Sequence, residues 1–193
     1  MNFLFHLYLS GDDPELLVGN LMGDFVKGRL PGRFPPGIER GVAFHRWIDS
    51  AANRSPSFVR SRERLDPSFG LYRGVLVDLF YDHFLAIAWQ AYHPEPLEQF
   101  LDRAYRLARD REAFLPERLR QILPVIFTEL IPSYREEAGI ARALERMSGR
   151  IPRPNPLGRG GSELELHYAG LRDDFERFLP AIRDEAAAWR AAC

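Results

Sequence analysis

Several polar residues near the start of the chain interrupt otherwise apolar stretches, and their types are those that bind divalent metals. His6 lies inside FLFHLYL, Asp24 follows GNLMG, and His45 and Asp49 are four apart in HRWID. Asp78 and Asp82 are likewise four apart in DLFYDHF, with His83 immediately after. Burying a charge or an imidazole without partners is costly, so each position needs a reason. The spacing of four puts each pair on one helical face. Imidazole and carboxylate donors without thiolate suit Mn²⁺, Mg²⁺, Fe²⁺ or Zn²⁺, and facing helices of a bundle can present them to one ion or to two. Such an ion lowers the pKa of water and offsets phosphoryl charge, so phosphoester hydrolysis is the reaction that this donor set fits.

Each residue also has a plainer reading. His6 alone would serve as a core histidine bonded to a carbonyl, and His45 with Asp49 as an orienting pair on a helix. Asp24 suits a turn after a glycine, and Asp78 and Asp82 suit pairing with arginines such as Arg46 or Arg73. It is the joint occurrence of these positions within the first 83 residues that favours a site. His93, beside Pro94, reads as an exposed turn residue, and His167 as a weaker candidate that would close the site from the last helix.

The elements that must position these residues read as helices. Proline and glycine divide the chain into segments of helical length, without sustained period-two alternation between them, which predicts an all-α helical bundle forming a single domain over residues 1–193. A first helix is expected over 2–10, and a second, capped by Asp13 with Pro14 at its first position, runs toward Asp24. Gly28 to Gly37 holds three prolines and three glycines and reads as a loop, and Ser55 before Pro56 as another N-cap. The longest apolar helix, from about Ser68 to Tyr92, belongs at the centre of the bundle. Helices near 96–109, 116–130 and 133–148 follow, the last restarted by Pro132. An irregular connection over 150–162 leads to a terminal helix bent or broken near Pro180.

Composition narrows the setting. A chain of 193 residues, 46% hydrophobic and 27% charged, is sized for one compact core. A net charge of -1 exerts no global pull toward nucleic acid or membrane. The single cysteine, Cys193, excludes an intramolecular disulfide and argues against thiolate chemistry. The apolar opening MNFLFHLYLSG has no basic n-region and no convincing cleavage site, and no run approaches the length of about 18 apolar residues that a membrane span needs. A cytoplasmic protein is expected.

The motifs MNFLFHLYLS, GNLMGDFVKG, FPPGIERGVAFHRWID and DLFYDHFLAIAW, in that order, resemble those of the acyl carrier protein phosphodiesterase family, and LHYAGLRDDFERFLP resembles its closing segment. Phe5 stands where that family usually has a small residue. The family is similar to the HD-domain phosphohydrolases, although this chain has Asp82–His83 and no HD dipeptide. The resemblance implies an HD-like fold and a Mn²⁺-favouring hydrolase that removes 4'-phosphopantetheine from holo acyl carrier protein. It makes His6, Asp24, His45 and Asp78 the metal-site core. Asp49, Asp82 and His83 become further ligands, orienting residues or acid/base groups. The mechanism it suggests is in-line attack by a metal-activated water, with Arg46 or Lys27 contacting the phosphate and His83 delivering the proton to the serine oxygen.

Residues 29–64 contain eight arginines (29, 33, 40, 46, 54, 60, 62, 64) against three acids (Glu39, Asp49, Glu63), a net excess of five that would suit an acidic carrier protein. Two rival functions keep the same fold: an HD-like phosphohydrolase acting on nucleotides or other small phosphoesters, and a non-catalytic helical binding module. The first predicts turnover of free nucleotides, and the second a metal-stabilised protein without activity.

Overall fold

The computed structural model describes residues 2–192, which are helical and turn-linked, with no strand among them. The all-α expectation holds. Helix α1 (Phe3–Leu9) is followed by α2 (Pro14–Met22), whose cap is as the sequence suggests: Asp13 Oδ1 accepts the Glu15 and Leu16 N–H groups at 3.0 and 3.1 Å. A 3₁₀ turn, Gly23–Phe25, then carries Asp24. Helix α3 (Pro36–Arg54) is joined directly to α4 (Pro56–Arg64) at Ser55, which occupies the cap position without a side-chain cap bond.

The central helix α5 (Tyr72–Ile87) is shorter than expected. Gly70, with φ +52, turns the chain ahead of it. At the other end Ala88 leaves helical geometry and α6 (Trp89–Tyr92) forms a separate turn, in which the Trp89 indole donates to the Glu95 carbonyl at 2.8 Å. Its neighbour His93 is half-buried and stacked on Trp89 at 4.9 Å, which corrects its expected exposure. Every residue from Leu76 to Ala86 except Asp78 is buried, so α5 does lie at the centre.

Helix α7 (Leu97–Arg109) leads to α8 (Glu117–Val125), a π-helical turn (Ile126–Leu130) and α9 (Ile131–Ser133). The expected break at Pro132 is absent. The wider π turn accommodates the prolines on either side of it, Pro124 and Pro132, and the chain changes direction only before α10 (Glu137–Arg150). Helix α11 (Gly161–Ala192) runs unbroken through Pro180, another correction. Pro180 faces solvent while Phe175, Phe178, Leu179 and Ile182 are buried, so apolar packing on both sides of the proline offsets its cost of about 3 kcal/mol.

The aromatic core joins first and last helices. Phe5 is fully buried, 5.6 Å from Phe178 and 6.3 Å from Phe175, so the large residue before His6 serves to dock α1 on α11. Helices α2 and α3 pack backbone against backbone. A Cβ on Gly19 would strike the Ile38 carbonyl and lie 2.7 Å from the Gly41 Cα, and one on Gly41 would strike the Leu16 carbonyl. Only glycine at both positions allows the two backbones to touch.

A buried carboxylate ties α4 to α11. Asp174 accepts from Arg60 Nε at 2.5 Å, Arg64 Nε at 2.8 Å and Ser61 Oγ at 3.2 Å. The arginine-rich run is thus partly committed inside the fold, since Arg40 also pairs with Asp13 at 2.5 Å and Arg33 donates to the Lys27 carbonyl at 2.6 Å. Burial opposes ionisation of Asp174, but the Arg64 and Arg60 guanidiniums hold its carboxyl below the ordinary value. Asp174→Asn should destabilise the protein by about 2–3 kcal/mol in urea unfolding, less than for a fully buried pair because both guanidiniums are partly in water. With the folded pKa below the unfolded one, that stabilisation is complete above about pH 4 and is lost as pH falls through the lowered value, so wild type and variant should converge in acid.

Candidate metal centre

Three chain segments bring the ligand candidates together. His6 comes from α1, Asp24 from the 3₁₀ turn after α2, and His45 with Asp49 from successive turns of α3. The two imidazoles stack with centroids 3.8 Å apart and planes 11° from parallel. His6 Nε2 is 3.3 Å from Asp49 Oδ1, and His45 Nε2 is 3.4 Å from Asp49 Oδ2 and 3.6 Å from Asp24 Oδ1. One donor atom each from His6, His45 and Asp49 falls within 4.8 Å of the others, a grouping compatible with a divalent metal.

The surroundings orient these donors. His45 Nδ1 lies 2.9 Å from the Asn20 carbonyl, and donation there leaves Nε2 turned toward the carboxylates. The Asn20 side chain in turn donates to the His6 carbonyl at 2.8 Å and to Ser10 Oγ at 2.9 Å, joining α1 to α2. Gly23 makes the room: a Cβ there would fall within the His45 ring. Gly19 on α2 and Gly23 at its C-terminal cap are one turn apart, as Gly41 and His45 are on α3, so one close helix contact seats both backbone and imidazole. Asn20 and Gly23 were not singled out from sequence, although the Gly-Asn-x-x-Gly spacing on one helical face carried the signal.

Electrostatics distinguishes the two histidines. Burial, reinforced by His45, lowers His6 to about 4. Burial also disfavours charge on His45, but hydrogen bonds with Asp24 and Asp49 prevail and raise it to about 9. Asp49 and Asp24 resist the upward pull of burial because the imidazoles hold both carboxyls below the usual range. Both ring nitrogens of His6 are buried and neither makes a hydrogen bond of good geometry, Nε2 meeting Asp49 only as a contact at 3.3 Å. A neutral imidazole in that state offers a lone pair to a cation, and this orphaned ring is the observation by which the residues fit a metal.

The remaining candidates occupy different places. Asp78 is half-buried; burial, with the charges of Asp49 and Asp24 nearby, raises its carboxyl. Asp82 is turned to α1: its oxygens accept the Leu4 and Phe5 N–H groups at 3.0 and 2.9 Å, and burial raises it to about 7 despite those bonds. His83 is not brought to the cluster. Its Nδ1 meets the Tyr134 carbonyl at 2.7 Å and its Nε2 the Tyr168 hydroxyl at 3.2 Å. His167 faces Glu163 at 3.8 Å, on its own helix. Arg46 donates to the Val26 and Gly28 carbonyls at 3.0 and 2.9 Å, bracing the loop after Asp24. An open depression of ≈ 270 Å³ in front of the cluster is lined by Asp24, Lys27, His45, Arg46 and Asp49.

Fold and site together describe a helical protein whose two buried histidines and partly exposed acids form a grouping compatible with a divalent cation beneath a small solvent-facing depression. A family profile described as "Acyl carrier protein phosphodiesterase" matches residues 1–182. Among curated proteins, the chain is 33% identical over 184 residues to an acyl carrier protein phosphodiesterase of Pectobacterium atrosepticum, covering 94% of this chain and 95% of that one. Against the protein of the same name from Klebsiella pneumoniae it is 34% identical over the same shares. No solved structure matches the chain at a significant level. The chain therefore belongs to the acyl carrier protein phosphodiesterase family, a family named for phosphodiester hydrolysis. No described helix is long and apolar enough to cross a membrane.

If the cluster binds a cation, adding Mn²⁺ should raise the melting temperature by about 5–10 °C at roughly 100 times its Kd, and His6→Ala should abolish that shift. Gly23→Ala should weaken the metal response about 10–100-fold by displacing the His45 ring, with the helical circular dichroism retained.

Proposed function

We propose that this protein hydrolyses the phosphodiester linking 4'-phosphopantetheine to the serine of holo acyl carrier protein, with a divalent cation, Mn²⁺ foremost, held by His6, His45 and Asp49 and flanked by Asp24. The family membership names the substrate class, and the orphaned His6 ring beside Asp49 is the structural observation that carries the metal assignment. When bound, such a cation supplies Lewis acidity toward phosphoryl oxygens and makes water acidic enough to react near neutral pH.

The chain's own groups do the positioning. Asp24 is 59% exposed at its side chain, in contrast to the buried His45, so it stands at the lip where a phosphate arriving from solvent would meet the cluster. Lys27 is exposed on the same depression and is placed to contact phosphate oxygens. Arg46 has its guanidinium committed to two loop carbonyls, and its part is to hold the loop that carries Lys27. In the reaction a water oxygen forms a bond to phosphorus and gives up a proton to solvent, the bond from phosphorus to the serine oxygen breaks in line with it, and the serine oxygen takes a proton from solvent at the open face. Asp78 is half-buried, and burial, with the nearby charges of Asp49 and Asp24, raises its carboxyl. His83, fixed by Tyr134 and Tyr168, stabilises the fold.

Incubation of the protein with holo acyl carrier protein and Mn²⁺, followed by intact mass, should convert holo to apo carrier. Asp49→Ala and Asp24→Ala should lower that rate by roughly 10²–10⁴-fold, the loss of several kcal/mol of transition-state stabilisation. Unchanged holo carrier alongside turnover of free nucleotides would replace this function with a small-molecule phosphohydrolase.

A further inference from the structure

A second cavity, of ≈ 180 Å³, also borders on Asp24. It runs between α8 with its π turn on one side and α10 on the other, and Phe25, Ile122, Ile126, Leu130 and Met147 give it an apolar lining. The depression in front of the metal cluster and this groove therefore meet at one residue. Two polar groups lie within the groove: the Asn2 side chain, and the Tyr134 hydroxyl that accepts from it at 2.8 Å. Three exposed cations line its outer part, Arg118 on α8 and Arg146 and Arg150 on α10, none of them ion-paired with a carboxylate among the described residues.

The wall is specifically built. The only π-helical segment among the described residues, Ile126–Leu130, supplies two of the lining side chains, Ile126 and Leu130. A π turn rotates the residues beyond it relative to an α-helix, and such turns recur at functional sites. Val125, which precedes the turn, is an exposed apolar residue at 37% and also lines the groove.

We infer that this groove receives the pantetheine arm of the substrate, a slim uncharged chain of a gem-dimethyl group, two amides and a thiol. The inference rests on the proposed function and deepens it. In an in-line displacement the attacking water and the departing serine oxygen take opposite ends of the axis. The pantetheinyl oxygen is then an equatorial substituent, and its chain must leave the phosphorus sideways. The groove beginning at Asp24 is such a lateral path. Its apolar lining suits the gem-dimethyl group, and the Asn2 and Tyr134 side chains suit an amide. The free arginines at its outer part complement the acidic protein to which the arm is attached, and they are available in a way that the Asp174-bound Arg60 and Arg64 are not.

The test uses the full-length protein with Val125→Trp and Met147→Trp, the first at an exposed position where folding is least at risk. Each variant is compared with wild type for kcat/KM on holo acyl carrier protein, for hydrolysis of bis(p-nitrophenyl) phosphate, and for binding of free 4'-phosphopantetheine by calorimetry. A filled groove should lower kcat/KM on the carrier and weaken 4'-phosphopantetheine binding by about 10-fold or more, with the armless diester hydrolysed at the wild-type rate. Unchanged carrier turnover and unchanged binding in folded variants would overturn the inference. So would variants that process holo carrier normally and lose only acylated carrier, which would make the groove an acyl-chain site. If wild type acts on no carrier protein, the proposed function fails, and the binding arm still decides whether the groove takes the arm.

Discussion

Two imidazole rings stacked at 3.8 Å inside a helical core are unfavourable by themselves, because burial strips their water and a second proton on the pair would be repelled. The rest of the site offsets that cost. Asp49 reaches both rings from one face, Asp24 reaches His45 from the lip, and the Asn20 carbonyl fixes the far nitrogen of His45. What stays incompletely satisfied is the His6 ring: Nε2 meets Asp49 at 3.3 Å without hydrogen-bond geometry, and Nδ1 has no hydrogen-bond partner. A cation between the Nε2 atoms and the carboxylates would engage His6 Nε2, and metal binding would then stabilise the fold that assembles the site.

Holding two rings so close requires two helices to be close. The contact of Gly19 with Gly41 brings α2 and α3 together, and one turn further Gly23 leaves the volume that the His45 ring fills. Helix α1 is fixed to the same place by the Asn20 amide and by Asp82, which receives its first amide groups from across the core. The aromatic packing of Phe5 on Phe175 and Phe178 secures α1 against the long closing helix. Stability and chemistry thus draw on the same contacts in the first half of the chain.

Much of this was legible in sequence for a physical reason: a histidine or acid amid apolar residues announces either a partner or a ligand. That signal found His6, Asp24, His45 and Asp49. It could not separate the two outcomes, and Asp82 and His83 show why. Both are buried on an apolar helix, yet Asp82 is satisfied by amides 77 and 78 positions away, and His83 by a carbonyl 51 positions away. Contacts of that range leave no local trace. Two of the boundaries that failed, at Pro132 and Pro180, did so where the chain carried a helix through proline, and the ends of α5 moved to Gly70 and Ala88, where the backbone leaves helical geometry. The arginine run was visible as charge, but its division between internal pairs and free surface depended on the buried position of Asp174.

The central claim is that His6, His45 and Asp49 hold one divalent cation. Anomalous scattering from crystals grown with Mn²⁺, recorded on both sides of the manganese absorption edge, locates the ion directly. The account predicts one strong peak in contact with both Nε2 atoms and the Asp49 carboxylate. A peak at Asp82 and His83, or none between the stacked imidazoles in crystals that contain bound manganese, would contradict it.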